Sequence, residues 1–151
     1  NSVGYIDELN SEIGLIVSKT YSQKFKTELK TIQNELFVIG SDLATPMNSR
    51  ETKRLQERHL QRIEKYVEKY ETEVEITDFV LPGGTEIASL FHIVRTQSRN
   101  VERKIVRVSE VEEINPIIIK YLNRLSDLFY LMALYENKNQ DQKEESVNFD
   151  I

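Results

Sequence analysis

Proline placement restricts the fold of this chain more than any other feature of its sequence. Only three prolines and five glycines occur in 151 residues, and Pro46, Pro82 and Pro116 fall between long stretches with apolar residues at three- and four-residue steps. That spacing places apolar side chains on one face of a helix, and the breaks supply the connections between helices. The sequence therefore predicts an all-α fold.

Five amphipathic helices account for the periodic stretches. The predicted ranges are about 4–17, 20–43, 50–71, 85–108 and 116–136. Asn48 and Glu51 have capping-box spacing at the start of the third helix, and Asn115 followed by proline begins the fifth. Together they predict a single helical-bundle domain over residues 1–136, followed by a polar, flexible tail over residues 137–151.

Composition excludes several classes of function. A net charge of -5 disfavours a nucleic-acid surface, and the absence of cysteine excludes disulfides and thiolate metal sites. No apolar run approaches the roughly 20 residues of a membrane span, and the first residues lack the pattern of a signal peptide. We expect a soluble, cytoplasmic protein without a metal site of its own.

An arginine-rich stripe lies on the fourth predicted helix. Arg95, Arg99 and Glu102 lie together beside the apolar face, and Arg103 follows. At such an edge, charged side chains can bind an anionic ligand or a neighbouring subunit. The alternative is a solvated face with ordinary ion pairs at three- and four-residue steps, and spacing alone leaves both open. His92, on the same helix, is predicted to face solvent.

Two other helices carry polar residues beside their core faces. Asn123 and Asp127 lie one turn apart on the fifth helix, where an amide suits a ribose or base edge but equally a capping or interhelical hydrogen bond. Asp7, on the first helix, could pair with one of the arginines, either within the chain or across subunits.

Three blocks of the sequence are similar to a known family. GYIDELNSEIG, FVLPGGTEIASLFHIVRTQSRNVER and YLNRLSD resemble, in order and spacing, the signature blocks of the PduO-type ATP:corrinoid adenosyltransferases, from Gly4 to about Tyr135. The resemblance implies a five-helix bundle that assembles as a homotrimer, with active sites between subunits. It implies transfer of the 5'-deoxyadenosyl group of ATP to the Co(I) of cobalamin, aided by Mg2+, giving adenosylcobalamin and triphosphate. Because Co(I) is the nucleophile, the protein supplies positioning and charge stabilisation.

The resemblance also implies roles on the nucleotide side of such a site. Asp7 matches an acid that bridges to Arg95 across a subunit boundary, and Arg99 matches a contact to the triphosphate. The further residues matched to ATP binding are Glu102, Arg103, Asn123 and Asp127, with Arg124 in the same block.

On the corrin side, the resemblance points to one aromatic residue above all. Phe79 matches a residue that occludes the lower axial position of cobalt, and removal of a donor ligand from Co(II) makes its reduction to Co(I) easier. Leu81 and Tyr130 would extend this apolar wall. Without the resemblance, Phe79 would be interpreted as an ordinary core residue of a loop.

Partners and alternatives follow from the same comparison. The resemblance implies a Co(II) reductase and an adenosylcobalamin-dependent enzyme as partners. The family's phosphate-wrapping segment would precede Asn1, and we expect the native protein to carry it. Its loss would favour a non-catalytic corrinoid-binding or structural trimer. A generic helical interaction module is another alternative. A ferritin-like di-metal bundle is disfavoured because neither His59 nor His92 has a glutamate three positions earlier.

Overall fold

Five helices form the body of the molecule in the computed structural model, which describes residues 2–77 and 79–151. The helices are α1 (Ser2–Lys19), α2 (Gln23–Ala44), α3 (Glu57–Glu71), α4 (Glu86–Ser109) and α5 (Pro116–Asn139). The all-α prediction is confirmed. Within the described ranges, strand-like pairing is limited to one isolated bridge between Val80 and Ser146. No helix in these ranges has the length and apolar character that crossing a membrane requires.

The helices pack around one apolar core. α4 contacts α5 and α1, α3 contacts α5, and α2 contacts α1. Aromatic rings lie at one end of the core, where the centroids of Phe25 and Phe91 are 5.1 Å apart and those of Tyr70 and Tyr135 are also 5.1 Å apart. Edge-to-face packing of this kind contributes beyond simple burial of area. Each of the five helices contributes buried apolar residues to this core, among them Leu9, Leu29, Ile63, Val101 and Leu125.

The start of α3 differs from its prediction. The helix begins at Glu57, about seven residues after the predicted position, so the capping box assigned to Asn48 and Glu51 is wrong. Gln56 and His59 form the box instead, and the backbone N–H of Gln56 donates to Nδ1 of His59 at 2.8 Å.

Arg54 explains why the preceding segment is not helical. Its guanidinium donates to the carboxylate of Asp42 at 2.9 Å and to the backbone oxygens of Thr45, Pro46 and Ser49 at 2.6 to 3.0 Å. One side chain therefore holds several loop carbonyls in a turn. Local helix propensity cannot reveal such a contact, because the acceptors lie on the other side of the connection.

Buried acids on α2 join it to α3 and α5. Glu28, Glu35 and Asp42 are each at most 5% exposed and follow one another at seven-residue steps. Glu28 accepts hydrogen bonds from Lys69 and Tyr70. Because buried carboxylates are costly unless paired, these bonds fix how α2 faces its neighbours. Sequence reasoning missed this row of acids, although its seven-residue spacing was visible.

The other two acids have different partners. Glu35 accepts from the hydroxyl of Tyr121 at 3.0 Å and from Arg62. Burial raises the pKa of Glu35, while the hydrogen bond from Tyr121 and the charge of Arg62 oppose that rise. Asp42 accepts from the backbone N–H of Leu55 and from the side chain of Asn115, both at 2.9 Å.

The C-terminal residues lie against the connection that precedes α4. α5 continues to Asn139, three residues beyond its predicted end. The N–H of Leu81 donates to the carbonyl of Glu145 at 2.8 Å, and the N–H of Val147 donates to the carbonyl of Phe79 at 3.0 Å. The C-terminal segment thus lies beside residues 79–84, which we call the elbow.

Candidate functional site

The elbow is held to α5 by one buried amide. Nδ2 of Asn137 donates to the carbonyl of Gly83 at 3.0 Å and to Glu144 at 2.9 Å, and its Oδ1 accepts from the N–H of Thr85 at 3.0 Å. Gly84 has φ 101°, and a Cβ there would lie 2.3 Å from that Oδ1. Glycine is therefore required at this position, where a left-handed backbone meets a fixed amide.

Thr85 then begins α4 as its N-cap. Its hydroxyl accepts from the N–H of Ala88 at 3.1 Å. The cap fixes where the helix starts and therefore which side chains of α4 face the core and which lie at its edge.

Arg95 occupies a half-buried position at the edge of the core. Its Nε donates to Nδ1 of His92 at 3.3 Å, and its guanidinium carbon lies 6.0 Å from the ring centroid of Tyr130. Burial and the nearby charge of Arg99 lower the pKa of Arg95. Among the described residues, its two terminal nitrogens have no hydrogen-bond acceptor. These donors are available to an anion or to a carboxylate from another molecule.

His92 was predicted to face solvent, and that prediction is wrong. Its side chain is 4% exposed, and burial, reinforced by the charge of Arg95, lowers its pKa to about 4. The ring centroid lies 6.1 Å from that of Tyr130 on α5. A helical wheel of α4 alone could not show this, because the side chain that covers His92 comes from another helix.

The remaining stripe residues reach α5 or solvent. Arg99 is exposed, and no described residue forms an ion pair with it. Nδ2 of Asn123 donates to Oε2 of Glu102 at 3.2 Å, which is the interhelical bond considered as the alternative role of that asparagine. Arg103 donates to Asn100 on its own helix.

The polar residues of α5 form a local pair on the same side of the bundle. Arg124 and Asp127 form an ion pair at 2.9 Å, with both side chains partly exposed. The Asn123–Glu102 bond places this part of α5 beside the second half of the stripe. The structure thus brings together the α4 and α5 blocks that the sequence singled out.

Asp7 lies apart from the stripe. It is exposed on α1, in an open groove against α2 that Asn10 and Phe37 also line. Among residues 2–77 and 79–151, no ion pair joins Asp7 to Arg95, so the intrachain pairing considered from the sequence is not formed. Phe37 is 71% exposed in the same groove.

The elbow presents apolar side chains outward. Phe79 is 75% exposed and Leu81 is 46% exposed. The ring of Phe79 packs edge-to-face with Phe149 of the C-terminal segment, with centroids 6.1 Å apart. Sequence reasoning missed Phe149, because an isolated aromatic residue in a polar tail gives no signal until the tail is seen to fold back.

Tyr130 lies between the stripe and the C-terminal segment. Burial raises its pKa, and the charge of Glu144 adds to that rise while Arg95 opposes it. Its described ring contacts are with His92 and Arg95. The tyrosine assigned to the corrin side thus contacts the nucleotide-side arginine directly.

Metal ligands do not cluster in the described part of the chain. Across residues 2–77 and 79–151, no three histidine, aspartate or glutamate side chains are close enough to hold a metal ion. His59 caps α3 and His92 contacts Arg95, so each histidine already has a structural partner.

The structure thus places a half-buried arginine and an exposed one on α4 and an apolar elbow just before that helix. The cobalamin adenosyltransferase family model matches residues 1–136. This chain belongs to that family, which confirms the resemblance found in the three sequence blocks.

Individual relatives agree with the family match. A corrinoid adenosyltransferase of Bacillus subtilis (strain 168) is 43% identical over 141 residues, which cover 90% of this chain and 72% of the relative. A variant PduO-type ATP:corrinoid adenosyltransferase from Lactobacillus reuteri, solved with cobalamin and ATP, superposes with a TM-score of 0.92 at 37% identity, covering 98% of this chain and 82% of that one. A second variant from Lactobacillus reuteri, solved with ATP, gives a TM-score of 0.90 at 37% identity, covering 97% and 85%.

Proposed function

We propose that this chain transfers the 5'-deoxyadenosyl group of ATP to the Co(I) of a corrinoid, giving adenosylcobalamin and triphosphate. The observation that carries the proposal is Arg95, half-buried with its terminal donors unpaired among the described residues, one turn from the exposed Arg99. Family membership and relatives solved with ATP and cobalamin support it.

The charges on α4 suit a departing triphosphate. Arg95 and Arg99 repel each other in the free chain, since the charge of Arg99 lowers the pKa of Arg95. An anion between them would relieve that repulsion and gain charge-assisted hydrogen bonds in a partly dry site. We assign Arg99 to the triphosphate, where negative charge accumulates on the leaving group as the C5'–O bond breaks.

The other nucleotide contacts belong to the α4–α5 side of the site. Glu102 and Asn123 already hold each other at 3.2 Å, so either can redirect a hydrogen bond to a bound nucleotide without a large movement. Arg103 and Asp127 complete the assigned set, with Asp127 now paired to Arg124.

The elbow suits the corrin ring. Phe79 and Leu81 are exposed apolar side chains on a backbone that is held by hydrogen bonds to the C-terminal segment. Exposed apolar groups on a fixed backbone favour burial against a flat partner. Phenylalanine offers no donor atom to cobalt, so its placement below the ring would leave the lower axial position without a ligand and ease reduction to Co(I). Tyr130 would close the wall towards Arg95.

Assembly as a homotrimer would complete the site. Asp7 has no ion-pair partner among the described residues, and it lies in a groove beside the exposed Phe37. We propose that the carboxylate of Asp7 forms an ion pair with Arg95 of a neighbouring subunit, because the terminal nitrogens of that arginine need an acceptor. Such a contact would bury Phe37 and would couple subunit association to the geometry of the arginine.

Cofactors and partners follow from the chemistry of the reaction. The described residues contain no acidic cluster for Mg2+, so the ion would be held by the oxygens of the triphosphate and would offset their charge. Co(I) must come from a one-electron reductant, which implies a Co(II) reductase. The product is a coenzyme, which implies an adenosylcobalamin-dependent enzyme as recipient.

The test is the spectral change of chemically reduced cob(I)alamin mixed with Mg-ATP and this chain, with and without an N-terminal extension carrying the family's phosphate-binding segment. Arg99→Ala should lower kcat/KM for ATP by about 100-fold, because it removes a charge-assisted contact to the leaving group. Arg107→Ala is the matched control, since Arg107 is exposed on the same helix, two turns beyond Arg99 and one turn beyond Arg103.

Two results would count against the proposal. Equal activity of the Arg99→Ala and Arg107→Ala variants would mean that the triphosphate does not bind at the stripe. No conversion by the wild-type chain, even with the extension, would leave a non-catalytic corrinoid-binding or structural protein.

A further inference from the structure

His92 makes a contact that its burial alone does not explain. Its Nδ1 accepts a hydrogen bond from Nε of Arg95 at 3.3 Å. Nε2, on the other side of the ring, is buried and has no partner among the described residues. A buried polar atom without a partner costs free energy, so Nε2 does not favour burial of this ring, and Nδ1 makes its only hydrogen bond among the described residues.

The contact fixes the chemical state of the ring. Nδ1 can accept only if it carries no proton, and a neutral imidazole must then carry its proton on Nε2. Arg95 from α4 and Tyr130 from α5 are the titratable groups described in contact with this side chain. The guanidinium next to it opposes a second positive charge, so the acceptor state persists at neutral pH.

The same contact fixes the guanidinium. Nε of Arg95 is held by His92, and its guanidinium carbon lies 6.0 Å from the ring centroid of Tyr130. With Nε held by His92 and the guanidinium carbon near the ring of Tyr130, the guanidinium has fewer orientations open to it, and its terminal nitrogens have no acceptor among the described residues. A free arginine would lose side-chain entropy on binding an anion, whereas this one has already lost much of it.

We propose that His92 is a positioning residue that, by accepting the Nε–H of Arg95, orients the terminal nitrogens of that arginine both for the Asp7 assigned to it from a neighbouring subunit and for the triphosphate of ATP beside them. The consequence for activity rests on the proposed function, but the contact itself does not. The residue acts through Arg95 and need not touch either substrate.

His59 provides an internal comparison. It is also buried, at 6% exposure, and its Nδ1 is also an acceptor. Its donor is the backbone of Gln56 at the start of α3, so its loss should affect folding alone. Comparing substitutions at the two histidines therefore distinguishes a hydrogen bond that only stabilises the fold from one that orients a site residue.

The first test is independent of activity. Nitrogen-15 NMR of protein labelled at histidine reports which ring nitrogen is protonated, and a His59→Asn variant assigns the two sets of signals. We expect His92 to be neutral at pH 7, with the proton on Nε2. A proton on Nδ1 would overturn the inference, since that nitrogen could not then accept from Arg95.

The second test uses three substitutions at position 92. In His92→Asn, the side-chain oxygen takes the place of Nδ1, whereas His92→Gln moves it to the place of Nε2 and His92→Leu removes it. We expect the asparagine variant to keep the wild-type KM for ATP within about threefold, and the other two to raise it about tenfold, through loss of one oriented charge-assisted hydrogen bond. The KM for cob(I)alamin should not change in any of them.

Controls separate this role from a loss of stability and from failure of the proposed function. His59→Leu should lower the stability of the fold while leaving the KM for ATP unchanged. If the wild-type chain makes no adenosylcobalamin, the same variants are compared by calorimetric binding of inorganic triphosphate. If triphosphate binding is kept in His92→Asn and weakened in His92→Gln and His92→Leu, the inference is supported although the proposed reaction has failed. Equal weakening in the asparagine and leucine variants, by either readout, would overturn it.

Discussion

The stability of this fold should depend on pH in part through the buried imidazole of His92. Folding lowers the pKa of His92 from 6.5 to about 4, chiefly by burial. Between these values the unfolded chain binds a proton that the folded chain does not. The contribution of His92 is therefore fully present above the unfolded pKa and is lost as pH falls towards the folded pKa.

The size of the effect follows from the two pKa values. At pH 5 the unfolded ring is almost fully protonated and the folded ring is almost fully neutral. This pH is about 1.5 units below the unfolded pKa, which corresponds to a loss of about 2 kcal/mol in the free energy of unfolding. Relative to pH 7, wild-type protein should lose this amount in addition to whatever its carboxylates contribute.

A comparison with His92→Asn isolates the imidazole. Urea unfolding gives, for each protein, the change in the free energy of unfolding between pH 7 and pH 5. Subtracting the change for the variant from that for wild type cancels the contributions of the carboxylates and of His59, because both proteins contain them. Protein concentration must be the same throughout, because assembly would make unfolding depend on it. We expect a remainder of about 2 kcal/mol. A remainder near zero would mean that His92 titrates normally in the folded state and that its burial has been misjudged.

Other predictions concern the connections of the bundle. Asp42→Ala should lower the free energy of unfolding in urea by about 3 kcal/mol, because it leaves buried donors unsatisfied, and a loss below about 1 kcal/mol would contradict this. Gly84→Ala should cost about 2 kcal/mol by thermal unfolding, because its φ is 101° and the added Cβ meets Asn137, whereas Gly40→Ala, with open space around it, should cost nothing. Val147→Pro removes one N–H donor of the C-terminal segment. Hydrogen exchange should speed up there but not in α5, and unchanged exchange would refute the pairing.

Local sequence signals predicted most of the helices. Asn115 followed by proline marked the start of α5 correctly, because the cap and the helix are adjacent in the chain. The start of α3 was placed too early, because the contact that prevents helix there runs from Arg54 back to Asp42 and to the loop between them. Helical periodicity reports local propensity, and a side chain that recruits distant carbonyls overrides it.

The same distinction applies to the candidate site. The position of Arg95 at the edge of the core followed from the spacing of its own helix. The burial of His92 did not, because Tyr130 on α5 supplies the cover. The bond between Asn123 and Glu102 was one of two alternatives, and only the packing of α4 on α5 could decide that they meet.

The row of acids on α2 has a consequence for how uniquely this chain folds. Leucine and isoleucine faces tolerate sliding, because one apolar contact replaces another at little cost. Glu28, Glu35 and Asp42 do not, since a shift of α2 by a single turn would move each carboxylate from its donors into hydrocarbon. Replacement of all three acids and their partners by apolar residues could even raise the melting temperature. We expect such a redesigned protein to give broader NMR signals, because several alignments of α2 would exchange with one another. The acids would then select one alignment of α2 more than they raise the stability of the fold.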